Sequence, residues 1–246
     1  MTSNVILTLP DGKPLEVEKG ATVLQAAAKI GPKLALAVVA GKLDGNMVDL
    51  SHRVESPAKL VLLKPDSGEG LEVFRHSSAH VLCQAVQRLF PDAKPTIGPV
   101  VEEGFYYDFA RPQPFTPEDL AKIEEEMRKI VAEDQPFERR EMGKEAALAL
   151  YPSNPYKREL INGIEGDKVS VYFNAGKFYD LCAGPHVPNT GRIKAFKLTK
   201  VAGAYWRADA KNDQLQRIYG ISFPDEKQLS EYATRLEEAE KRDHRK

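Results

Sequence analysis

The 246-residue sequence has two cysteines, one tryptophan and a formal net charge of −1. Two cysteines cannot build a disulfide framework, which excludes the small stapled scaffolds of secreted proteins and suits a reducing compartment. So small a net charge exerts no global pull on nucleic acid or anionic lipid, and any RNA contact must come from a local patch. The most apolar short run, Leu34 to Ala40, is too short to cross a bilayer. The first thirty residues carry Asp11, Lys13, Glu16, Glu18 and Lys19, which is not a signal-peptide pattern. Together these absences predict a cytoplasmic chain with no membrane association. Glycine-rich phosphate loops are missing too, which excludes a nucleotide-binding core of that type. The sequence has no internal repeat and no low-complexity tract. What remains, 42% hydrophobic and 29% charged, is ordinary globular composition with enough chain for one large domain or two smaller ones.

Histidine is also scarce, at five, yet three of the five fall in two short stretches. His76-Ser-Ser-Ala-His80 sets two imidazoles one helical turn apart, on one face. Phe74, Val81, Leu82, Ala85, Val86 and Leu89 predict a helix from about residue 72 to 90. The histidines lie off that stripe, on a polar face continuing through Cys83, Gln84 and Gln87, which is expected to meet solvent. The second stretch is Cys182-Ala-Gly-Pro-His186, with Asp180 two residues upstream. Gly184 and Pro185 make it a loop, and loops at strand ends are where rigid scaffolds display chemistry.

Residues 1–65 read as a small mixed unit. Strands at Val5 to Leu9 and Leu15 to Val17 flank a Pro-Asp-Gly turn, and Thr22 N-caps a helix whose inner face is Val23, Leu24, Ala27 and Ile30. Strands at Ala35 to Ala40, Asn46 to Asp49 and Leu60 to Leu63 complete a ubiquitin-like β-grasp order. His52 has no partner and is expected on the surface. Pro65 to Gly68 is a turn-rich junction into residues 66–224, a larger α+β domain opened by the histidine helix. Thr116-Pro-Glu-Asp119 starts a further helix with Leu120, Ile123, Met127, Ile130 and Val131 inside. Short helices follow at Lys144 to Tyr151 and from Tyr156, then strands at Val169 to Phe173 and Lys177 to Leu181. From Arg192 to Arg217 basic residues dominate and Tyr205 and Trp206 sit among them, a pattern that suits either a nucleic-acid surface or a solvated sheet face. Residues 225–246 read as a linker helix with a Leu229, Tyr232, Ala233, Leu236 stripe, ending in Lys241-Arg-Asp-His-Arg-Lys246.

The chemistry of the constellation stays open on residues alone. His76, His80, Cys182 and His186 make a tetrahedral set for zinc, with Cys83 a rival ligand. The H-E-x-x-H spacing of zinc peptidases is matched, but Ser77 stands where that chemistry needs a glutamate base. Without a metal, histidines and Asp180 could orient a water that Lys157 helps to polarise. Alternatively Cys182 is a nucleophile with His186 as its base. Tyr106, Tyr107 and Asp108 are placed either in the core or along a pocket.

Several separate motifs, in order, resemble the N-terminal half of bacterial threonyl-tRNA synthetases over essentially the whole chain. They are His76-Ser-Ser-Ala-His80, Ile97-Gly-Pro-Val100, Gly104-Phe-Tyr-Tyr-Asp108, Cys182-Ala-Gly-Pro-His186, Gly203-Ala-Tyr-Trp-Arg207 and Gln216-Arg-Ile-Tyr-Gly220. The resemblance implies a β-grasp TGS domain, an editing domain and a linker helix toward a catalytic core that would follow Lys246. It implies hydrolysis of seryl-tRNA(Thr), with His76, His80, Lys157, Asp180, Cys182 and His186 catalytic and Tyr107, Asp108, Lys197 and Arg207 on the substrate side. Expected partners are tRNA(Thr), its seryl-adenosine end and the synthetase core in cis, with this part alone a monomer. The related alanyl-tRNA synthetase editing domain holds zinc on a similar set, whereas the threonyl one is regarded as metal-free. No essential cofactor is therefore expected. The competing expectation is a non-catalytic tRNA-binding module with a structural zinc.

Overall fold

The computed structural model describes residues 3–243. Its first unit contains β1 (Asn4–Thr8), β2 (Pro14–Glu18), α1 (Val23–Ile30), α2 (Pro32–Ala37), β3 (Ala40–Leu43), β4 (Asn46–Val48) and β5 (Ala58–Leu63). The sheet order is β2-β1-β5-β3-β4 with β1 parallel to β5, the β-grasp arrangement. Thr22 closes a capping box with Gln25, so α1 starts where the sequence places it. Its inner face differs from expectation. Val23, Ala26 and Ala27 are buried, whereas Leu24 and Ile30 are 36% and 41% exposed. The strand expected from Ala35 is also displaced, because Pro32 at the first helical position and the following Leu and Ala residues make α2. Extended backbone resumes only at Val38. His52 is exposed, as expected.

The larger unit opens with α3 (Gly68–Leu89), N-capped by Ser67, whose side chain accepts from Gly70 N. There follow β6 (Lys94–Pro95), β7 (Val100–Val101), β8 (Gly104–Ala110), α4 (Pro117–Glu133), β9 (Phe137–Gly143), α5 (Lys144–Leu150), α6 (Pro155–Gly163), β10 (Lys168–Asn174) and β11 (Phe178–Leu181). Two long strands, β12 (Ala195–Tyr205) and β13 (Gln214–Phe223), and α7 (Glu226–Asp243) complete it. One sheet runs β12-β13-β8-β6, with β7 also on β8, and a second runs β11-β10-β9. The strand β9 had no signal in the sequence. Its Glu138, Arg139, Arg140 and Glu141 are all exposed and pair along the strand, so no apolar alternation marks it. On α7, Leu229 and Tyr232 pack with Ala195, Ile221 and Phe223, while Leu236 is 39% exposed and the stripe ends there. His244 to Lys246, part of the predicted charged end, lie outside the described residues. Among the described residues no helix is long and apolar enough to cross a membrane.

The helix α3 is buried on all sides from Val73 to Val86, apart from His76. The face expected to meet solvent therefore lies inside, with His80, Cys83 and Gln84 each at 3% exposure or less. The polar groups on it are placed to suit: Ser77 and Ser78 hydroxyls reach the carbonyls one turn back, Val73 O and Phe74 O. The two units share one core, since Val39, Ala40 and Leu63 pack in the same cluster as α3 and β8. Side chains of the larger unit also bond the smaller: Arg192 donates to Leu36 O and Val38 O, and Tyr172 Oη donates to Asp49 at 2.6 Å.

Candidate active site

His76 and His80 on α3 meet Cys182 and His186 on the loop after β11, with all four ligand-type atoms within 4.8 Å of one another. The imidazole centroids are 4.0 Å apart for His80 and His186 and 4.7 Å for His76 and His186. Cys182 Sγ lies 3.5 Å from His76 Nε2 and accepts from Gly184 N at 3.2 Å. Gly184 has φ +74, and a Cβ there would lie 1.9 Å from Tyr172 Oη, so both the backbone and the close approach require glycine.

Ser77 decides the state of His186. Its single hydroxyl proton goes to Val73 O at 2.8 Å, while Val187 N donates to the oxygen at 3.0 Å. His186 Nδ1, 2.9 Å away, must then supply the proton of its own contact with Oγ. That fixes the Nδ1–H tautomer and leaves Nε2 a bare lone pair with no partner among the described residues. The sequence offered Ser77 only as the absence of a glutamate, and its role is read from the three contacts.

Beside this cluster lies a buried ionic network. Lys157 Nζ sits 2.6 Å from Asp180 Oδ1 and 2.9 Å from Tyr107 Oη, and Tyr107 donates to Asp180 Oδ2 at 2.7 Å. Asp180 Oδ2 is also 3.6 Å from His80 Nε2. Asn154 delivers Lys157 by capping α6, its Oδ1 accepting from Tyr156 N and Lys157 N while Nδ2 donates to Pro95 O. Burial alone would raise the Asp180 carboxyl, but Lys157, His80 and Tyr107 more than offset it and hold it below the usual range. Desolvation pushes all three imidazoles down, His80 to about 3, so each is neutral near pH 7. Desolvation pushes the Cys182 thiol up to about 12, so it is not a thiolate.

These values bear on the options left by the sequence. A nucleophilic Cys182 with His186 as base does not match the geometry, because its imidazole neighbour is His76 and the thiol is un-ionised. Cys83 is not a rival ligand either, for it is wholly buried against Tyr107 and stands outside the four-residue cluster. Tyr107 joins the site, but Asp108, next on the strand, projects to the opposite face, where Arg217 grips it at 2.8 and 2.9 Å. Lys197 and Arg207 are exposed on or after β12, Arg207 paired with Glu159, and neither belongs to the cluster. Trp206 is buried, and its indole N–H donates to Glu159 at 3.0 Å. One contributor came without warning from the first unit: Asp49 accepts from His186 N at 2.9 Å and from Tyr172 Oη.

By donor type, burial and mutual distance, His76, His80, Cys182 and His186 fit a zinc ion, with the orphaned His186 Nε2 as one donor.

The β-grasp unit and the domain that carries the His/Cys cluster together resemble the N-terminal region of aminoacyl-tRNA synthetases. Residues 5–64 match the TGS domain family, and residues 169–219 match the second additional domain of threonyl and alanyl tRNA synthetases. The chain is 53% identical over 243 residues to a threonine–tRNA ligase of Methylococcus capsulatus and 54% identical over 243 residues to one of Hahella chejuensis. In both cases 98% of the chain is aligned with 38% of the relative, so it spans well under half their length. Over its whole length the chain corresponds to the N-terminal region of threonyl-tRNA synthetases.

Proposed function

We propose that this site hydrolyses the aminoacyl ester of mischarged seryl-tRNA(Thr), proofreading in the cytoplasm for a synthetase core in cis. The observation that carries the reading is the meeting of three neutral imidazoles with a buried Lys157–Asp180 pair, beside a thiol too basic to attack. Serine is threonine less one methyl, and one methyl in a pocket discriminates by only about 1–3 kcal/mol. A second, smaller site that admits only serine closes that gap.

Ester hydrolysis needs a base for water and positive character where the oxyanion develops. His186 Nε2, held bare by Ser77, and the less buried His76 supply lone pairs for the water proton. Asp180 orients His80 and keeps the Lys157 ammonium in place as fixed positive charge. Cys182 lines the site as a thiol. The exposed Lys197 and Arg207 are assigned to the tRNA backbone, and Asp108 to holding Arg217. Bound zinc would supply a Lewis acid on the four donors; the reading takes the reaction to need none.

Deacylation of seryl-tRNA(Thr), with threonyl-tRNA(Thr) as control and a chelator arm, tests this. Loss of serine, sparing of threonine and indifference to chelator are expected. Hydrolysis of neither ester would overturn it. The close approach of four zinc-type donors favours a second reading, a tRNA-binding module with structural zinc. In that case purified chain carries stoichiometric zinc, and chelation lowers its Tm without any ester being cleaved.

A further inference from the structure

The stretch 96–99, between β6 and β7, belongs to no strand yet stays bonded to β8 on both sides of Tyr107. Thr96 donates twice to Asp108 O, from N at 2.9 Å and from Oγ1 at 3.0 Å. Asp108 N donates to Ile97 O at 2.9 Å, and Tyr106 N to Pro99 O at 3.3 Å. These bonds bracket the residue of β8 whose hydroxyl reaches the Lys157–Asp180 pair. The stretch also follows Pro95, whose carbonyl accepts from Asn154 Nδ2 at 2.8 Å, and Asn154 is the cap that presents Lys157. A single run, 95–99, therefore touches the supports of both Tyr107 and Lys157.

Gly98 is where that run meets the ring. A Cβ at this position would lie 2.3 Å from Tyr107 Cδ2, 2.7 Å from Cε2 and 3.0 Å from Cγ, well inside the ~3.5–4.0 Å at which carbon atoms pack. Gly98 has no positive φ, so space and not backbone freedom calls for glycine here. The ring has little room to yield. Tyr107 is 1% exposed, stacks on Phe109 with centroids 5.0 Å apart, and has Lys157 Nζ 5.5 Å from its own centroid. Its hydroxyl donates to Asp180 Oδ2, the oxygen that lies 3.6 Å from His80 Nε2. A displaced ring would loosen the ammonium and the carboxylate facing His80 together.

We propose that Gly98 is a positioning residue for the hydrolysis: its missing side chain seats the Tyr107 ring, and the seated hydroxyl sets the Lys157–Asp180 pair against His80. The proposal rests on the hydrolytic reading of the site. Gly98 stands outside the His/Cys cluster, and the three atoms nearest its built Cβ all belong to Tyr107, so its influence runs through that ring. Thr96, wholly buried, shares the task by tying the run to β8 through its hydroxyl.

Deacylation of seryl-tRNA(Thr) by the 246-residue chain, in a double-variant cycle of Gly98→Ala and Tyr107→Phe, tests the proposal. Gly98→Ala is expected to lower kcat about 100-fold, the effect of a misplacement on the order of 1 Å, with KM little changed. In the Tyr107→Phe background no hydroxyl remains to be misplaced. Adding Gly98→Ala there should lower kcat by no more than about twofold, although the Phe ring still meets the new methyl and Tm falls again. Thr96→Val removes the hydroxyl at similar volume and covers the case of a Gly98 variant that does not fold. It should lower kcat severalfold in the unaltered chain and leave the Tyr107→Phe rate as it is. Losses that multiply, or a loss confined to KM, would overturn the proposal while hydrolysis stands. Cleavage of neither ester by the unaltered chain would overturn the hydrolytic reading instead. The seating of Tyr107 is then decided by NMR of its hydroxyl proton, identified by its absence in Tyr107→Phe. That resonance should shift or vanish in Gly98→Ala, and an unchanged resonance would overturn the seating as well.

Discussion

In the proposed hydrolysis Ser77 acts through His186. Its oxygen is saturated by one donated and two accepted hydrogen bonds, and the price of that saturation is that His186 must hold its proton on Nδ1. Ser77→Ala frees the imidazole to switch tautomer and leaves Val187 N unpaired. Positioning groups of this kind are commonly worth ~10–100-fold in activity. A fall of that size in single-turnover seryl ester hydrolysis is expected, with Ser77→Thr retaining more of the rate because it keeps the hydroxyl. Equal losses in both variants would contradict the tautomer argument.

Lys157 and Asp180 are each 2% exposed and 2.6 Å apart, so neither charge can survive there alone. Removing one partner of a buried pair costs about 3–5 kcal/mol. Lys157→Met should lower unfolding free energy in urea by about that amount. Adding Asp180→Leu should restore most of it, because the double variant buries no lone charge. Activity should be lost in both, which separates the pair's place in the chemistry from its effect on stability.

At the level of elements, the loop from Cys182 to His186 is shaped from outside itself. Asp49, at the end of the β4 hairpin, accepts from His186 N and from Tyr172 Oη, and Tyr172 Oη abuts Gly184. The β-grasp unit is thus part of the site's framework. Asp49→Ala should reduce ester hydrolysis severalfold with α1 and its sheet intact, and the variant is expected to keep its far-UV spectrum. Unchanged hydrolysis would show that the loop holds its shape unaided. No local pattern announces this contact: Asp49 and His186 are 137 residues apart, and a lone acid after a short strand reads as surface. The elements the sequence did reveal carry their own signals, such as the capping boxes at Thr22 and Thr116 and the histidine spacing on α3. Those it concealed, β9 and α2, lack an apolar period or borrow one of the wrong length. The polar face of α3 was legible as a face and not as an interior, because what buries it is supplied by α4 and by the loop after β11.

Across the whole molecule, the site makes stability depend on pH in one direction. His76, His80 and His186 are neutral in the fold because desolvation lowers each pKa, His80 to about 3. In the unfolded chain each returns to about 6.5. Between those values the unfolded state binds more protons than the folded one, so stability rises with pH there. The contribution is complete above about pH 6.5 and is lost as pH falls toward the folded values. His80, neutral in the fold down to about pH 3, then removes about 1.4 kcal/mol per pH unit, and His76 and His186 act in the same direction, against a typical total of about 5–15 kcal/mol. Asp180 behaves differently, since a lowered carboxyl loses its contribution only below about pH 4. Urea unfolding of chelator-treated chain should therefore be flat from pH 8 to 7 and fall steeply from 6.5 to 5. Replacing His80 with Gln should remove about one proton from that slope. A flat profile down to pH 5 would mean that the imidazoles titrate in the fold as they do in the unfolded chain, and that burial does not hold them neutral.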